Sequence, residues 1–267
     1  MAGNPLASGF GALAGSPNGI YIIKTDRTPT QFGGKACGKE NLMKHWFLIM
    51  TSVFSLVIGC VNNPTQQKPT TGTVTDIDGN SYRYITIGTQ TWMAENLKTT
   101  RFNDGTAIPL VTEDTVWAAL TSPGYCWYND SVSYGATYGA LYNWYAVSSG
   151  KLAPKGWHVP TDSEWTVLFT FLGGTNVAGG KLKETGTAHW DTLVGATDEY
   201  GFTALPGGWR MFLGSFYYVG SLGYLWSATA HDATSAQDLA FVGDNTYVGR
   251  YFNAYQCGLG VRCVRDN

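Results

Sequence analysis

The chain has 267 residues, of which 44% are hydrophobic and 13% are charged, so it is not an intrinsically disordered protein and can bury a core. Its 34 glycines, 10 tryptophans, 16 tyrosines and 12 phenylalanines favour short strands and turns over long helices. The part that follows residue 59 holds 12 Lys/Arg against 17 Asp/Glu, a net charge of −5. This balance excludes a nucleic-acid-binding protein, which needs a basic face.

A bacterial export signal is predicted at residues 43–59. A lysine and a histidine follow Met43, residues 46–58 form an apolar run, and a glycine precedes Cys60. The apolar run of about 13 residues is too short for a transmembrane helix, because crossing the bilayer takes about 20. The order of these features is therefore that of a cleaved signal.

Residues 57–60, with the sequence Val-Ile-Gly-Cys, resemble the lipobox of bacterial lipoproteins. In that family the cysteine is acylated and becomes the first mature residue, so the resemblance implies a lipid anchor on Cys60 in the bilayer. The two residues that follow do not match an inner-membrane retention signal, and we expect an outer-membrane protein at the cell surface or facing the periplasm. Translation is expected to start at Met43, with residues 1–42 forming an extension without structure or function.

The folded domain is predicted to span residues 73–267, after a polar, proline-containing tether at residues 60–72. Residues 76–80 read Asp-Ile-Asp-Gly-Asn, which resembles the start of a calcium loop. The twelfth position of such a loop needs a carboxylate and is Ile87 here. We therefore interpret the segment as a hairpin turn between strands at residues 72–75 and 82–87.

Helices and strands are both predicted further along the chain. Thr161 and Glu164 form a capping box, which starts a helix that ends at the glycine pair 173–174. Shorter apolar-periodic stretches predict helices at residues 113–120 and 141–147. From residue 201 onward, short strands are predicted between glycines, at residues 202–205, 224–229, 238–242, 247–252 and 259–264.

Five motifs, in order, resemble the Fibrobacter succinogenes major paralogous domain family over about residues 74–266. They are DIDGN at 76–80, GTQTWMAENL at 88–97, YGALYNW at 138–144, PKGWHVPTD at 154–162 and LPGG at 205–208. The resemblance implies an α+β, C-type-lectin-like fold that is irregular and loop-rich, with two or three helices and short antiparallel strands. It also implies an exported protein without an established enzymatic activity.

Residues 207–266 also look similar to the variable proteins of diversity-generating retroelements, through GGWR at 207–210, WSAT at 226–229 and VRCVRD at 261–266. Those proteins share the fold and display diversified residues as a ligand-binding surface. Their variable positions come from randomised asparagine codons, and residues reachable from such codons are dense between Arg210 and Gly258. A diversified receptor and a fixed paralogue that binds polysaccharide both fit this pattern.

The composition of the same segment predicts a surface that binds a protein or glycan ligand. Tyr and Phe offer large, rigid contact areas, and Ser, Gly, Asn and Asp beside them offer adaptable hydrogen bonds, as in paratopes. The alternative is that many of these aromatic residues fill the core. The predicted contact residues are Phe212, Tyr217, Tyr218, Tyr224, His231, Asp232, Asp244, Tyr247, Tyr251, Phe252, Asn253 and Tyr255.

An enzyme is the competing hypothesis, because formylglycine-generating enzymes share this general fold and use a reactive cysteine pair. Cys126, Cys257 and Cys263 are the candidates here, and an exported protein also permits a disulfide between Cys126 and Cys263. Ala153 stands where the family often has a further cysteine, which leaves the pairing open. Histidines lack partners at metal-ligand spacing, and we predict no catalytic residue, metal or cofactor.

Overall fold

Two five-stranded sheets organise residues 70–267, the part of the chain that the computed structural model describes. The predicted export signal, Cys60 and most of the tether lie outside the described residues, and so does the extension at residues 1–42. No helix among residues 70–267 is long and apolar enough to cross a membrane.

The secondary structure mixes short strands with few helices. The strands are β1 (Thr71–Thr75), β2 (Ser81–Ile87), β3 (Gln90–Met93), β4 (Tyr125–Cys126), β5 (Leu141–Tyr142), β6 (Trp157–His158), β7 (Gly207–Arg210), β8 (Phe216–Val219), β9 (Leu222–Ala230), β10 (Ser235–Val242), β11 (Val248–Ala254) and β12 (Val264–Arg265). The helices are α1 (Asp114–Ala118), α2 (Val132–Tyr138), α3 (Trp144–Val147), α4 (Asp162–Phe171) and α5 (Thr175–Leu182).

The first sheet has the strand order β1-β2-β3-β12-β6, and the second has the order β11-β10-β9-β7-β8. All pairings between these strands are antiparallel except the one between β7 and β9. Strands β4 and β5 form a separate two-stranded ribbon. The domain is therefore of the α+β class, as predicted.

The predicted hairpin at residues 76–80 is confirmed. The backbone N–H of Asp76 donates to Asn80 O at 3.0 Å, and β1 pairs with β2 on either side. The Asp76 carboxylate accepts hydrogen bonds from the backbone N–H of Asp78 at 2.9 Å and from the Tyr82 hydroxyl at 2.6 Å. Asp78 in turn accepts from Thr100 N at 2.5 Å. These carboxylates hold the turn together through protein donors.

The predicted helix after Thr161 is confirmed as α4, with both hydrogen bonds of its capping box formed. The helix at residues 113–120 is confirmed as the shorter α1. The prediction at residues 141–147 is half right, because Leu141 and Tyr142 pair with β4 and only the following residues are helical as α3. Helices α2 and α5 were not predicted.

Three of the five predicted C-terminal strands are confirmed, as β9, β10 and β11. The strands predicted at residues 202–205 and 259–264 are wrong, because these segments form only isolated bridges and the two-residue β12. The reason is burial on every side: residues 257–264 are all buried, and the buried Arg262 guanidinium donates to the carbonyl of Phe202. Long-range contacts, not an alternating pattern, hold these segments.

Both faces of the second sheet pack against a hydrophobic cluster: one face packs against the α4 core, and the other contributes Trp226 and Ala236 to a second core, against which Trp209 and Tyr224 are partly buried. Leu225, Leu239 and Phe241 pack into a core with Trp165 of α4 and with Phe202. Their neighbours in sequence point to the other side of the sheet, since successive side chains in a strand alternate.

Candidate ligand-binding site

A row of aromatic side chains crosses the second sheet on the face opposite the α4 core. Tyr217 of β8 pairs with Trp209 of β7, and the pairing of the glycines at 208 and 223 places Trp209 beside Tyr224 of β9. Residues paired across neighbouring strands lie on the same face. The Trp209 and Tyr224 ring centroids are 5.3 Å apart, and all three rings are partly exposed.

The row continues over small residues and ends under Tyr251. Tyr224 pairs with Ala240, which pairs with Gly249 of β11. A Cβ on Gly249 would lie 2.2 Å from the Tyr251 ring, so that ring lies over the glycine. The Tyr251 side chain is 51% exposed. We call the surface formed by Trp209, Tyr217, Tyr224 and Tyr251 the aromatic face.

Tyr218 joins Tyr217 through an unusual backbone conformation. Its φ is 68°, in the left-handed region that non-glycine residues seldom adopt. Adjacent residues in a regular strand point to opposite faces, yet the two tyrosine ring centroids lie 5.9 Å apart. The backbone at Tyr218 thus keeps both tyrosines close together at the edge of the aromatic face.

Asp238 is buried beneath the aromatic face, on the same side of the sheet. It pairs with Trp226 of β9 and with Tyr251 of β11, and it is 1% exposed. Its Oδ1 accepts a hydrogen bond from Asn253 Nδ2 at 3.0 Å. Its Oδ2 is buried and has no hydrogen-bond partner within residues 70–267.

The surroundings of Asp238 disfavour its charge. Burial raises the pKa of this carboxyl to about 7, and the hydrogen bond from Asn253 only partly opposes that rise. A second polar atom of the region, Trp209 Nε1, is also buried without a partner among the described residues. Four tryptophans of the cores share this feature, so the unpaired carboxylate oxygen of Asp238 is the more telling observation.

Asp238 and Trp209 were not among the residues predicted from the sequence. A signal for Asp238 existed, since a lone aspartate in the apolar stretch 236–242 is unusual for a buried strand. Trp209 lies in the GGWR motif at 207–210, and nothing in that motif indicates a contact residue. Three predicted residues lie on the face of the sheet that carries Asp238: Tyr224, Tyr251 and Asn253, with Tyr217 and Tyr218 at its edge; Tyr247 is exposed just before β11.

Other predicted contact residues lie elsewhere. Phe252 follows Tyr251 in β11 and therefore points to the opposite side, where its ring stacks on His231 with centroids 4.0 Å apart. Asp232 closes the turn between β9 and β10 by accepting from Thr234 N at 2.7 Å. These hydrogen bonds lower the pKa of Asp232 to about 2, as expected for a turn residue.

The remaining three predicted residues are spread over the domain. Tyr255 stacks on Trp144 with ring centroids 4.3 Å apart and donates its hydroxyl hydrogen to Asp232 O at 2.6 Å, so it fastens the β9–β10 turn to the core. Phe212 is exposed in the turn between β7 and β8. Asp244 is exposed in the turn between β10 and β11. The twelve predicted residues thus do not form one continuous surface.

The disulfide that the sequence permits between Cys126 and Cys263 is not formed among the described residues. Both cysteines are free and buried, as is Cys257. Cys126 packs in a cluster with Trp117, whereas Cys263 packs in a different cluster. Burial raises the pKa of Cys126 and of Cys257 to about 12 and raises that of Cys263 as well. Thiols with such pKa values are protonated near neutral pH and are poor nucleophiles.

Among residues 70–267 there is no group of three His, Cys, Asp or Glu side chains that could hold a metal ion. His158, the histidine of the family motif, instead lies between two carboxylates, with Nδ1 2.6 Å from Asp266 Oδ1 and Nε2 2.7 Å from Glu164 Oε1. It ties the C-terminal end of the chain to the first turn of α4.

Fold and site together define an α+β domain whose second sheet carries a partly exposed aromatic face over a buried carboxyl group. The sequence model of the Fibrobacter succinogenes major domain family matches residues 85–265. Because this match covers most of the chain, the chain belongs to this family. No curated protein and no solved structure matches the chain.

Proposed function

We propose that this chain is an exported lipoprotein whose C-type-lectin-like domain binds a protein or glycan ligand through the aromatic face. The observation that carries the proposal is the row of Tyr217, Trp209 and Tyr224, continued by Tyr251 across the small residues of β10 and β11. Four aromatic rings on one sheet face, each partly exposed, form a surface suited to binding.

Physical chemistry supports this use of the surface. Tyrosine and tryptophan provide large contact areas with few rotatable bonds, and their rings pack on apolar side chains or on the faces of sugar rings. Trp209 and Tyr224 lie on neighbouring strands with ring centroids 5.3 Å apart, and Tyr251 lies two strands beyond Tyr224. The unpaired Trp209 Nε1 and Asp238 Oδ2 add polar groups that a ligand would satisfy.

The first test compares two neighbouring residues of β11 on opposite faces of the sheet. The full chain and its Tyr251→Ala and Phe252→Ala variants would be applied to arrays of plant polysaccharides, host glycans and host glycoproteins. Loss of binding is expected for Tyr251→Ala and retention for Phe252→Ala, whose side chain is 60% exposed and forms part of the opposite face. Equal binding by the two variants would contradict the proposal.

The membrane anchor is proposed from the sequence. Cys60 would carry the lipid, and the tether at residues 60–72 would hold the domain away from an outer membrane. Mass spectrometry of the protein isolated from its own cells would show a diacylglyceryl modification on Cys60 and the absence of residues 1–59. An unmodified cysteine, or a chain that retains residues 43–59, would contradict the anchor.

Diversification by a retroelement is a second candidate for how the ligand surface arises. The exposure of Tyr247 and Tyr251, which are reachable from randomised asparagine codons, favours it. The flanking DNA would contain a reverse transcriptase gene and a near-copy of the segment encoding residues 207–266, with differences confined to adenines. Their absence would favour a fixed adhesin. An enzymatic function is less well supported, because the described thiols are buried and their pKa values are raised.

A further inference from the structure

We propose that Asp238, together with Tyr224 and Tyr251, forms a subsite for a cationic group of the ligand, the ammonium of a lysine or the guanidinium of an arginine. This inference rests on the proposed function, since it assigns a chemistry to one part of the aromatic face. It favours a protein ligand over a neutral glycan.

The Asp238 carboxyl group is buried and only partly hydrogen-bonded. A single hydrogen bond, from Asn253, reaches it, and its second oxygen has no partner within the described residues. Burying a carboxylate without a partner is costly, and the cost is removed either by a proton or by a positive charge. The free form of this site therefore holds a group that is ready to accept a cation.

Residues 211–258 supply no cation that pairs with Asp238. Between residues 211 and 258 the basic residue is Arg250, against the acidic residues Asp232, Asp238 and Asp244. The Arg250 guanidinium donates to Thr166 Oγ1 at 2.6 Å, on the α4 side of the sheet. No arginine or lysine contributes to the pKa of Asp238. The buried Arg210 and Arg262 differ from Asp238 in this respect, because their guanidinium groups donate hydrogen bonds to partners inside the domain.

Two tyrosines surround the Asp238 carboxyl group. Tyr224 and Tyr251 lie on the strands that flank Asp238, and the charge of Asp238 acts on the pKa of both hydroxyl groups. Cations bind well over aromatic faces, and the gain is larger when the site is desolvated. A neutral hydroxyl group would also donate to Oδ2, but a charge-assisted hydrogen bond is about twice as strong.

Small side chains separate the two tyrosines along the aromatic face. The row that joins the strands of Tyr224 and Tyr251 passes through Ala240 and Gly249, which carry at most a methyl group. The Tyr251 ring lies over Gly249, and the side chain is half exposed. A rotation of this one side chain would open the way to Asp238 without moving the backbone.

Binding of a cation through Asp238 would depend on pH. Asn253 of β11 donates to Asp238, and the groups that sense the charge of Asp238 are Tyr224 on β9, Tyr251 on β11 and Cys257 after β11; burial raises the pKa values of both tyrosines and of the cysteine. These groups stay neutral between pH 6 and pH 8, whereas Asp238, with a pKa of about 7, changes from mostly protonated to mostly ionised. The affinity for a cation is therefore expected to rise about tenfold between these pH values.

The experiment uses ethylguanidinium chloride as the probe and the full chain in detergent micelles. Nuclear magnetic resonance would follow the side-chain carboxyl carbon of Asp238 and the indole N–H of Trp209. A saturable shift is expected, with binding about tenfold tighter at pH 8 than at pH 6 and with a lower pKa of Asp238 at saturation. Asp238→Asn would abolish binding, whereas Asp232→Asn, which changes an exposed turn residue, would retain it.

Several results would overturn the cationic subsite. One such result is that saturating ethylguanidinium leaves the pKa of Asp238 unchanged. This measurement needs the wild-type protein alone, so it can be made even if the Asp238→Asn variant fails to fold. Another is equal binding by the folded Asp238→Asn variant. If methyl glycosides then shift the Trp209 indole in both proteins, the aromatic face binds ligands but the cationic subsite is wrong. If the array proteins and glycans also fail to bind, the proposed function is wrong too.

Discussion

The imidazole of His158 lies 2.7 Å, from Nε2 to Oε1, from the carboxylate of Glu164, the residue that completes the capping box of α4. On its other side His158 Nδ1 contacts Asp266 Oδ1 at 2.6 Å. Burial alone would lower the pKa of His158, but the hydrogen bonds to Asp266 and Glu164 outweigh that effect and raise it. One imidazole thus joins the C-terminal residues to a helix start.

We expect this contact to stabilise the domain most at mildly acidic pH. A raised folded-state pKa means that the stabilisation is complete below the unfolded value, 6.5 for histidine, and is lost as the pH rises through the folded value. Burial would raise the pKa of Glu164, but its hydrogen bonds from Thr161 and His158 lower it, so its contribution persists above 4.5 and is lost only in stronger acid. The difference in stability between wild type and His158→Ala should be larger at pH 5.5 than at pH 8.5.

The size of the effect is limited because His158 is 39% exposed and its charge is screened by water. We expect His158→Ala to lower the free energy of unfolding by about 1 kcal/mol at pH 5.5, which corresponds to a fall of about 2 to 4 °C in the melting temperature. Thermal melts of both proteins at the two pH values would measure it. His231→Ala provides the control, since this histidine is exposed and stacks on Phe252. A pH-independent difference for His158→Ala would contradict the assignment.

Lys183 holds three segments of the chain together from a fully buried position. Its Nζ donates to the carbonyls of Asn245 at 2.5 Å, Val242 at 2.7 Å, and Val194 and Gly243 at 3.3 Å. Burial lowers the pKa of Lys183 to about 8, so the group still carries its proton at pH 7. The ammonium therefore satisfies carbonyl oxygens that the turn between β10 and β11 leaves open.

Lys183→Met should destabilise the domain by about 3 kcal/mol, because it leaves several buried carbonyl oxygens without a donor. Lys181→Met is the matched control: it lies two residues earlier, and its ion pair with Glu199 at 3.3 Å is partly exposed. A change below about 1 kcal/mol is expected there. Urea unfolding of the two variants would compare them. Similar losses in both variants would refute the special role of Lys183.

The elements that were predicted correctly are determined by interactions between residues that are close together in the sequence. The capping box of α4 joins residues three positions apart, and the β1–β2 turn is formed by hydrogen bonds within residues 76–80. Helix α5 lacked such a signal, because Gly179 and Gly180 weaken helices in isolation. They are required by packing: a Cβ on Gly179 would lie 2.8 Å from the backbone oxygens of Thr246 and Tyr247.

The candidate site could be predicted only in part, for a similar reason. The aromatic content of the segment is visible in the sequence, but the face on which each residue lies depends on strand register. Between Ala236 and Asp238 the register of β10 against β9 shifts, which sequence alone does not reveal. The separate register of β10 against β11 places Asp238 beside Tyr251 and sends Phe252 to the opposite face. A one-residue slip would reverse both placements.

Asp238 should also give the free protein an unusual pH dependence. The unfolded chain loses this proton near the ordinary value of 3.8, whereas the folded state keeps it up to a pKa of about 7. Between these values the folded state binds one more proton, so stability falls as the pH rises. The expected loss is about 2 to 3 kcal/mol between pH 5 and pH 8.

Asp238→Asn should remove this loss and be more stable than wild type at pH 8, because its side chain has no charge to bury. Urea unfolding of both proteins at pH 5 and pH 8 would measure it, with Asp232→Asn as the control at an exposed turn. The effect of His158 has the same sign in this range, but it is present in both proteins and cancels in the comparison. Parallel pH profiles for wild type and Asp238→Asn would show that the carboxyl group is not buried in an unpaired state.

Two glycines of the second sheet should respond differently to the same substitution. A Cβ on Gly223 would lie 2.4 Å from the carbonyl oxygen of Leu205, a backbone atom that cannot give way cheaply. A Cβ on Gly249 would meet the ring of Tyr251, which is half exposed and can rotate. Gly223→Ala is therefore expected to cost about 1 to 3 kcal/mol and Gly249→Ala less than about 1 kcal/mol.

The second variant also tests the architecture of the aromatic face, because it displaces Tyr251 without removing its ring. Chemical shifts of Tyr251 and Tyr224 would report the displacement, and urea unfolding would give the stability of both variants. Should Gly249→Ala prove as costly as Gly223→Ala, the Tyr251 ring would be fixed in place. A fixed ring would keep a ligand group from reaching Asp238, and the cationic subsite would then require another route of entry.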